Sequence, residues 1–544
     1  MTAATAFDVV VLGSGIGGLS AALCARALGL SSILVEKNAR LGGTTCDSYG
    51  LIWVGDNHLM RAAGETDARA GIVDYMTFLG GGEIEQARME AFVDHGPRAL
   101  PVYEKQGIAF APVPGVVDHY FGVAPGARGP GRTVEAQLIS GRELGKWRDR
   151  VRAPKDAPYN VTAGEQIAWG GINRYSSWDQ TLLAQRRADD MRGKGVGLVT
   201  HLVKALLARE VPILVESPAD RLLLDDGRVV GARLADGRDL HARRGVVIAT
   251  GGYEWNADLM RDFDPLPGLQ PLSPPGQTGD GLIMGAEIGA AIRRIQNNLN
   301  LMLGFSLTPD EPGASPIQCM AGISEMCSPH TIVVNRAGRR FADESYFQAV
   351  VPMLRIFDPM RHAPVNLPCW LIFDSRYAAN YALAHLPVGS KIPDSVARAG
   401  SLPELAGKLG VDADGLVATV GRFNDYARAG VDEEFHRGEL RWRLATATGA
   451  ARKNPGLGPV EKPPFYGIEL HPSLGTSSAG LLTDEHARVL HQRRRPIPGL
   501  YATGVASART ELGAGYQAGL NMASGLTFGL LAAEHMLREN GRSA

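Results

Sequence analysis

The chain has 544 residues, 45% of them hydrophobic and 21% charged, an ordinary globular usage that excludes wholesale disorder. Its formal net charge of −1 leaves no electrostatic footprint for nucleic acid or an anionic lipid surface. The length predicts two domains rather than a single core.

The N-terminus runs MTAATAFDVVVLG straight into a strand. No basic n-region or apolar h-region precedes it, so a cytoplasmic location is the expectation. Asp8 to Leu12 reads as a short, mostly β-branched strand, Ser20 to Leu28 as an alanine-rich helix, and Ser32 to Val35 as a second strand. Between the first strand and the helix lies G-x-G-x-x-G at Gly13, Gly15 and Gly18, with Ser14 and Gly17 inside it. Gly13 permits the tight turn, Gly15 lets a pyrophosphate touch backbone, and Gly18 lets helix pack on strand. A diphosphate there meets the free N–H groups of the helix N-terminus. Glu36 ends the second strand, followed by Lys37. A carboxylate there accepts from ribose hydroxyls and repels a 2′-phosphate.

Gly42–Gly43–Thr44–Thr45 follows the acidic strand at once. Residues 60–200 are less regular, with helical stretches. DDGRVVGARLADGRDLHARRGVVIATGG then has two DG turns between short strands, a meander, and a buried strand ending at Ala249–Thr250–Gly251–Gly252. TGDG, with Asp280, opens a further helix, and GLYATGVAS near the end is one more strand closing on a glycine turn at Gly504. The last glycine-rich stretch is RTELGAGYQAGLNMASG, with Gly519 and Leu520 at the start of a helix. That helix is interrupted by Asn521, Ser524 and Thr527, which makes it a poor membrane span. Five cysteines without CxxC spacing read as free thiols, and no HExxH or other metal-ligand spacing is present.

The order GSGIGG, GGTT, ATGG, ATG and the closing glycine loop resembles the FAD-binding family that includes fumarate reductase and the flavin dehydrogenases of ketosteroids. The fold this implies is α/β, a Rossmann-type FAD-binding domain carrying an inserted α+β substrate (cap) domain. Residues 1–290 and 466–544 would form the FAD-binding domain and residues 291–465 the cap, with proline-rich stretches at 265–276 and 454–465 near the junctions. The resemblance implies noncovalent FAD, because no histidine precedes Gly42–Gly43 as an attachment point.

Three segments are similar to the 3-ketosteroid Δ1-dehydrogenases in particular: LGTSSAGLLTDEHARVL, HTIVVNRAGRRFADES and DHYFGVAPGARGPGR. Members of that branch desaturate the carbon pair beside a ring ketone, a tyrosine taking the proton and flavin N5 the hydride. Tyr120 matches one tyrosine of the family's pair. The position of its base is Gln348 here, with Tyr346 two residues earlier. The family's closing loop reads YPGAG, whose tyrosine and last glycine hold the ketone oxygen; here the stretch is Glu511–Leu512–Gly513–Ala514–Gly515. A protonated Glu511 and the Gly515 N–H are therefore the expected oxygen donors, Tyr516 beside them is a further candidate catalytic residue, and a small cyclic ketone is as reasonable a substrate as a steroid. The electron acceptor stays open among quinone, oxygen or another. Two alternatives stand beside this reading. A fumarate-reductase-type enoate reductase would need an arginine where Tyr516 and Gln517 lie. A non-catalytic FAD-fold binding protein would have to keep its cofactor residues without using them.

Overall fold

A computed structural model describes residues 5–154, 158–320, 325–384, 386–442 and 454–539. Val9, Val10 and Val11 have no exposure, as expected of a parallel strand covered on both faces. Their strand, Thr5–Leu12, pairs in parallel with Ser32–Val35 on one side and Asp239–Ile248 on the other. Ile213–Leu214 extends one edge, and Pro496–Ala502 pairs in parallel with residues 246–248. The strands at either extreme of the sequence are thus separated in the sheet by a single neighbour. Ala219–Asp225 and Arg228–Leu234 form the expected antiparallel meander against the start of Asp239–Ile248.

The first helix, Ile16–Ala27, is buried from Ile16 to Ala25. Small residues explain how. The C-terminal helix, Leu520–Glu539, crosses it with Gly525 against Ile16 and Gly17, and Gly529 against Ser20 and Ala21, where a Cβ would meet backbone or side chain at 2.6–3.3 Å. Large residues at those two positions would push the helices apart.

A second sheet of seven strands holds the inserted region. Its order runs Ile317–Met320, Leu301–Leu307, Phe465–Leu474, Cys369–Asp374 and Thr331–Asn335, all antiparallel. Gln270–Pro271 and Ala397–Ala399 also pair with Phe465–Leu474. Helices Leu402–Leu409 and Ala413–Ala429 cover one face, burying Leu405, Leu416, Val420 and Phe423. The architecture is α/β with an inserted α+β region. This second sheet draws strands from either side of residues 290 and 465, where the sequence places its domain borders. Among the described residues no helix is long and apolar enough to cross a membrane.

Candidate active site

The glycine turn after the first strand is built as its spacing dictates. Gly13 has φ +102° and lies against the Ala249 carbonyl, and Gly18 lies against the Gly13 carbonyl; a side chain on either would meet backbone. Three other glycines differ. A Cβ on Gly15 would come no nearer than 3.8 Å to Thr45 Oγ1, one on Gly43 no nearer than 3.9 Å to Gln277, and one on Gly504 no nearer than 3.8 Å to Gly17. At these three positions a side chain would meet nothing closer than ordinary van der Waals contact, and beside the N-terminus of the first helix they form a cradle that backbone N–H groups and the helix dipole make suitable for a diphosphate.

The polar residues around the cradle are ordered by one another. Glu36 Oε2 accepts from the Ser14 N–H at 3.1 Å and the Ser14 hydroxyl at 2.6 Å, and Oε1 accepts from Asn38 N at 2.9 Å. Gly42 N donates to Ser14 Oγ at 3.1 Å, and Ile16 N donates to Thr45 Oγ1 at 3.0 Å. The turn Gly43–Asp47, with Thr44 in it, is thereby docked on the helix start. Lys37 Nζ binds Thr278 Oγ1 and Asp280 Oδ2, each at 2.7 Å, which ties the end of the second strand to the helix Asp280–Glu287. Gly281 N donates to Thr250 Oγ1 at 3.2 Å, and Gly279 N to the Gly252 carbonyl at 3.0 Å. Gly251 has φ +80° and lies against Gln277. Gly519 accepts from Trp53 N at 3.2 Å and leads into Leu520.

An aromatic chamber gathers residues from five remote segments. The rings of Tyr120 and Tyr346 meet edge to face with centroids 5.8 Å apart. Phe78 packs on Tyr120 at 5.4 Å, and Trp442 on Tyr346 at 5.6 Å. His119 stacks on Trp442 at 5.3 Å and receives the edge of Tyr516 at 4.9 Å, while Phe347 meets Tyr516 at 5.3 Å. Burial holds the His119 imidazole neutral, with its pKa lowered to about 3.

The Tyr120 hydroxyl is buried without a hydrogen-bond partner among the described residues. Burial raises its pKa to about 12, while the Tyr516 backbone and the Tyr346 hydroxyl favour its anion. Tyr346 is raised further still, by burial and by the charge Tyr120 would carry. Of the two phenols, Tyr120 is therefore the more acidic. Tyr346 also donates to the His119 carbonyl at 3.1 Å. Gln348 is 4% exposed and its amide meets His119 Nδ1 at 2.8 Å.

The chamber's walls are pinned by side chains that carry no motif. Asp118, buried, accepts from Trp53 Nε1, Arg132 Nη1 and Arg128 N at 2.7, 2.7 and 2.9 Å. Gln517 Oε1 accepts from Tyr75 Oη at 2.6 Å and His119 N at 2.8 Å. Together they fix the backbone on either side of Tyr120. Sequence reasoning did not find Asp118, His119, Trp442 or Gln517 as site residues. Asp118 and His119 adjoin Tyr120 in DHYF, so that motif was the available signal; Trp442 had none.

The closing loop corrects the expectation for the ketone oxygen. Both carboxylate oxygens of Glu511 are engaged, with Arg88 Nε at 2.7 Å and with the Ser524 hydroxyl at 2.5 Å. The Gly515 N–H donates to the Leu79 carbonyl at 2.7 Å. Both groups are thus already held by partners within the chain. The reason is a partner the local sequence does not reveal: Arg88, 1% exposed, arrives from the helix Gln86–Glu104 and needs a buried counter-charge.

Lys194 was also missed. It is 8% exposed, its Nζ donates to the Pro158 carbonyl at 2.7 Å and to Gln166 Oε1 at 2.5 Å, and it lies 5.1 Å from the centre of the Tyr49 ring. Burial lowers its pKa to about 8. All five cysteines are free and buried, and Cys46 beside the cradle is raised to about 12 by burial, so it packs as a small apolar group.

The model of the FAD binding domain family matches residues 8–521. The chain is 35% identical over 542 residues to 4-oxocyclohexanecarboxylate 2-dehydrogenase of Sinomonas cyclohexanicum, spanning 98% of this chain and 93% of that one. It is 34% identical to 3-oxosteroid 1-dehydrogenase of Mycobacterium tuberculosis, over 98% of this chain and 99% of the relative. Among solved structures, 3-ketosteroid Δ1-dehydrogenase of Sterolibacterium denitrificans with 1,4-androstadiene-3,17-dione superposes with a TM-score of 0.88 at 28% identity. That match covers 98% of this chain and 100% of the other.

Proposed function

Because the chain belongs to the FAD-binding family that matches it over residues 8–521, and is an FAD-dependent oxidoreductase acting on CH–CH groups, we propose that it desaturates the carbon pair beside a ring ketone. The observation that carries this reading is the Tyr120–Tyr346 pair, buried in an aromatic chamber against the closing loop. Such a chamber suits a flat, apolar ring.

The residues divide the work as follows. The chamber excludes water and holds the ring on the faces of Trp442, Tyr516 and Phe347. The Tyr120 phenolate takes the proton alpha to the ketone; the Tyr346 hydroxyl and the Tyr516 backbone stabilise that phenolate. Asp118 and Gln517 keep Tyr120 in position through the backbone of residues 118–119. Gly13, Ser14, Gly15, Gly17, Gly18, Glu36, Gly42, Gly43, Thr44, Thr45, Ala249 to Gly252, Gly504, Gly519 and Leu520 surround the cradle that would hold FAD; Lys37 and Asp280 brace its rim. When bound, FAD accepts the hydride from the beta carbon.

The test is anaerobic mixing of the flavin-loaded protein with 4-oxocyclohexanecarboxylate, cyclohexanone, androstenedione and succinate, followed by absorbance near ~450 nm, where flavins absorb. Bleaching by a ketone supports the proposal. Bleaching by succinate alone, or by none of the four, overturns it.

A further inference from the structure

A desaturase of this kind must hold the developing enolate oxygen. The two groups first expected to do so are otherwise engaged: Glu511 with Arg88 and Ser524, and the Gly515 N–H with the Leu79 carbonyl. We propose that the Tyr516 hydroxyl polarises the substrate ketone in this protein, one residue beyond the loop's last glycine. The inference rests on the ketone-desaturase reading above.

Four observations support it. The Tyr516 side chain is only half-buried, in a segment where residues 511–515 and 517 are all buried. Its ring is set by two edge contacts, with His119 at 88° and Phe347 at 70°, yet no described residue hydrogen-bonds its hydroxyl. Its ring meets that of His119, which precedes Tyr120 and whose carbonyl accepts from the Tyr346 hydroxyl, so base and donor lie in one chamber. The phenol stays protonated at neutral pH, because burial raises it to about 12. A donor preorganised in a water-poor site gains most when the oxygen becomes anionic.

The step balances without a redox partner. The alpha C–H bond breaks, its proton passes to Tyr120, and its electron pair moves into the enolate, whose oxygen Tyr516 holds. Reprotonation from Tyr120 restores the ketone.

That reversal supplies the experiment. The holoenzyme, its flavin reduced with dithionite so that hydride transfer is blocked, is incubated in D2O with 4-oxocyclohexanecarboxylate, and alpha-deuteration is followed by NMR. Wild type should exchange, and Tyr516→Phe should slow both exchange and kcat by about 10²–10³-fold. Glu511→Gln should exchange within about threefold of wild type per bound flavin. A Tyr516→Phe protein that exchanges at the wild-type rate while desaturating normally overturns the Tyr516 role alone. A wild type that neither exchanges nor desaturates any ring ketone overturns the parent reading as well. Flavin absorbance of each variant reports that the site is intact.

Discussion

Arg88 and Glu511 meet at 2.7 Å with both side chains 1% exposed, 423 residues apart in sequence. Arg88 also donates to the Asp484 carbonyl and lies 3.6 Å over the Phe528 ring. The pair therefore joins the helix Gln86–Glu104 to the closing loop and the C-terminal helix. Removing one partner leaves an uncompensated buried charge. Glu511→Gln should cost about 3–5 kcal/mol in urea unfolding, whereas Arg88→Met with Glu511→Leu should recover most of that. A single variant as stable as wild type would contradict this role.

Tyr120→Phe and Tyr346→Phe should each lower kcat by about 10²–10⁴-fold, the usual effect of losing an acid–base residue. Both should retain full flavin absorbance, since neither phenol lines the cradle. Stopped-flow bleaching with a ketone checks this; wild-type rates in both variants would remove the tyrosines from the mechanism.

With Tyr120 raised to about 12, only its minor deprotonated fraction can act as base at neutral pH. The fraction grows tenfold per pH unit below that value, so kcat/KM should climb through pH 7 to 9 without a plateau. His119, lowered to about 3, is neutral throughout and adds no limb there. A profile that levels off near pH 6.5 would instead mark a titrating histidine.

Lys194 predicts a pH dependence of stability. Its folded pKa, about 8, lies below the ordinary 10.5. Below pH 8 both states are protonated and the fold carries the whole cost of a buried cation. Between 8 and 10.5 the unfolded chain binds more protons, so this residue makes stability rise with pH, by about 3 kcal/mol in all. Urea melts at pH 7.5 and 10.5 should show that difference between wild type and Lys194→Met.

FAD should be released by acid precipitation, leaving a yellow supernatant above a colourless pellet. A yellow pellet would show a covalent bond to the chain.

How much of this was legible in the sequence depends on distance along the chain. Gly13 to Gly18, Glu36 and Gly42 to Thr45 form local turns around one helix start, so spacing alone foretold their arrangement. Tyr120 and Tyr346 could be named from motifs, but their pairing is made by folding, since the second sheet carries Tyr346 to Tyr120. Glu511 misled for the same reason. Its loop motif is short, while the residue that claims its carboxylate lies near the other end of the chain. Tyr516 is a catalytic candidate from its place next to the motif's last residue, but the ring edges packed around it are set only by folding.

The strand Pro496–Ala502 joins a sheet whose other members, apart from the edge strand Arg488–Leu490, are complete by Ile248. A ribosome making this protein therefore exposes most of that sheet long before its last central strand has been synthesised. The apolar margin of residues 246–248 must wait, through some 250 further residues, for its neighbour to emerge. Cells would have to shelter that margin with chaperones during translation, and cofactor capture can be finished only at the close of synthesis.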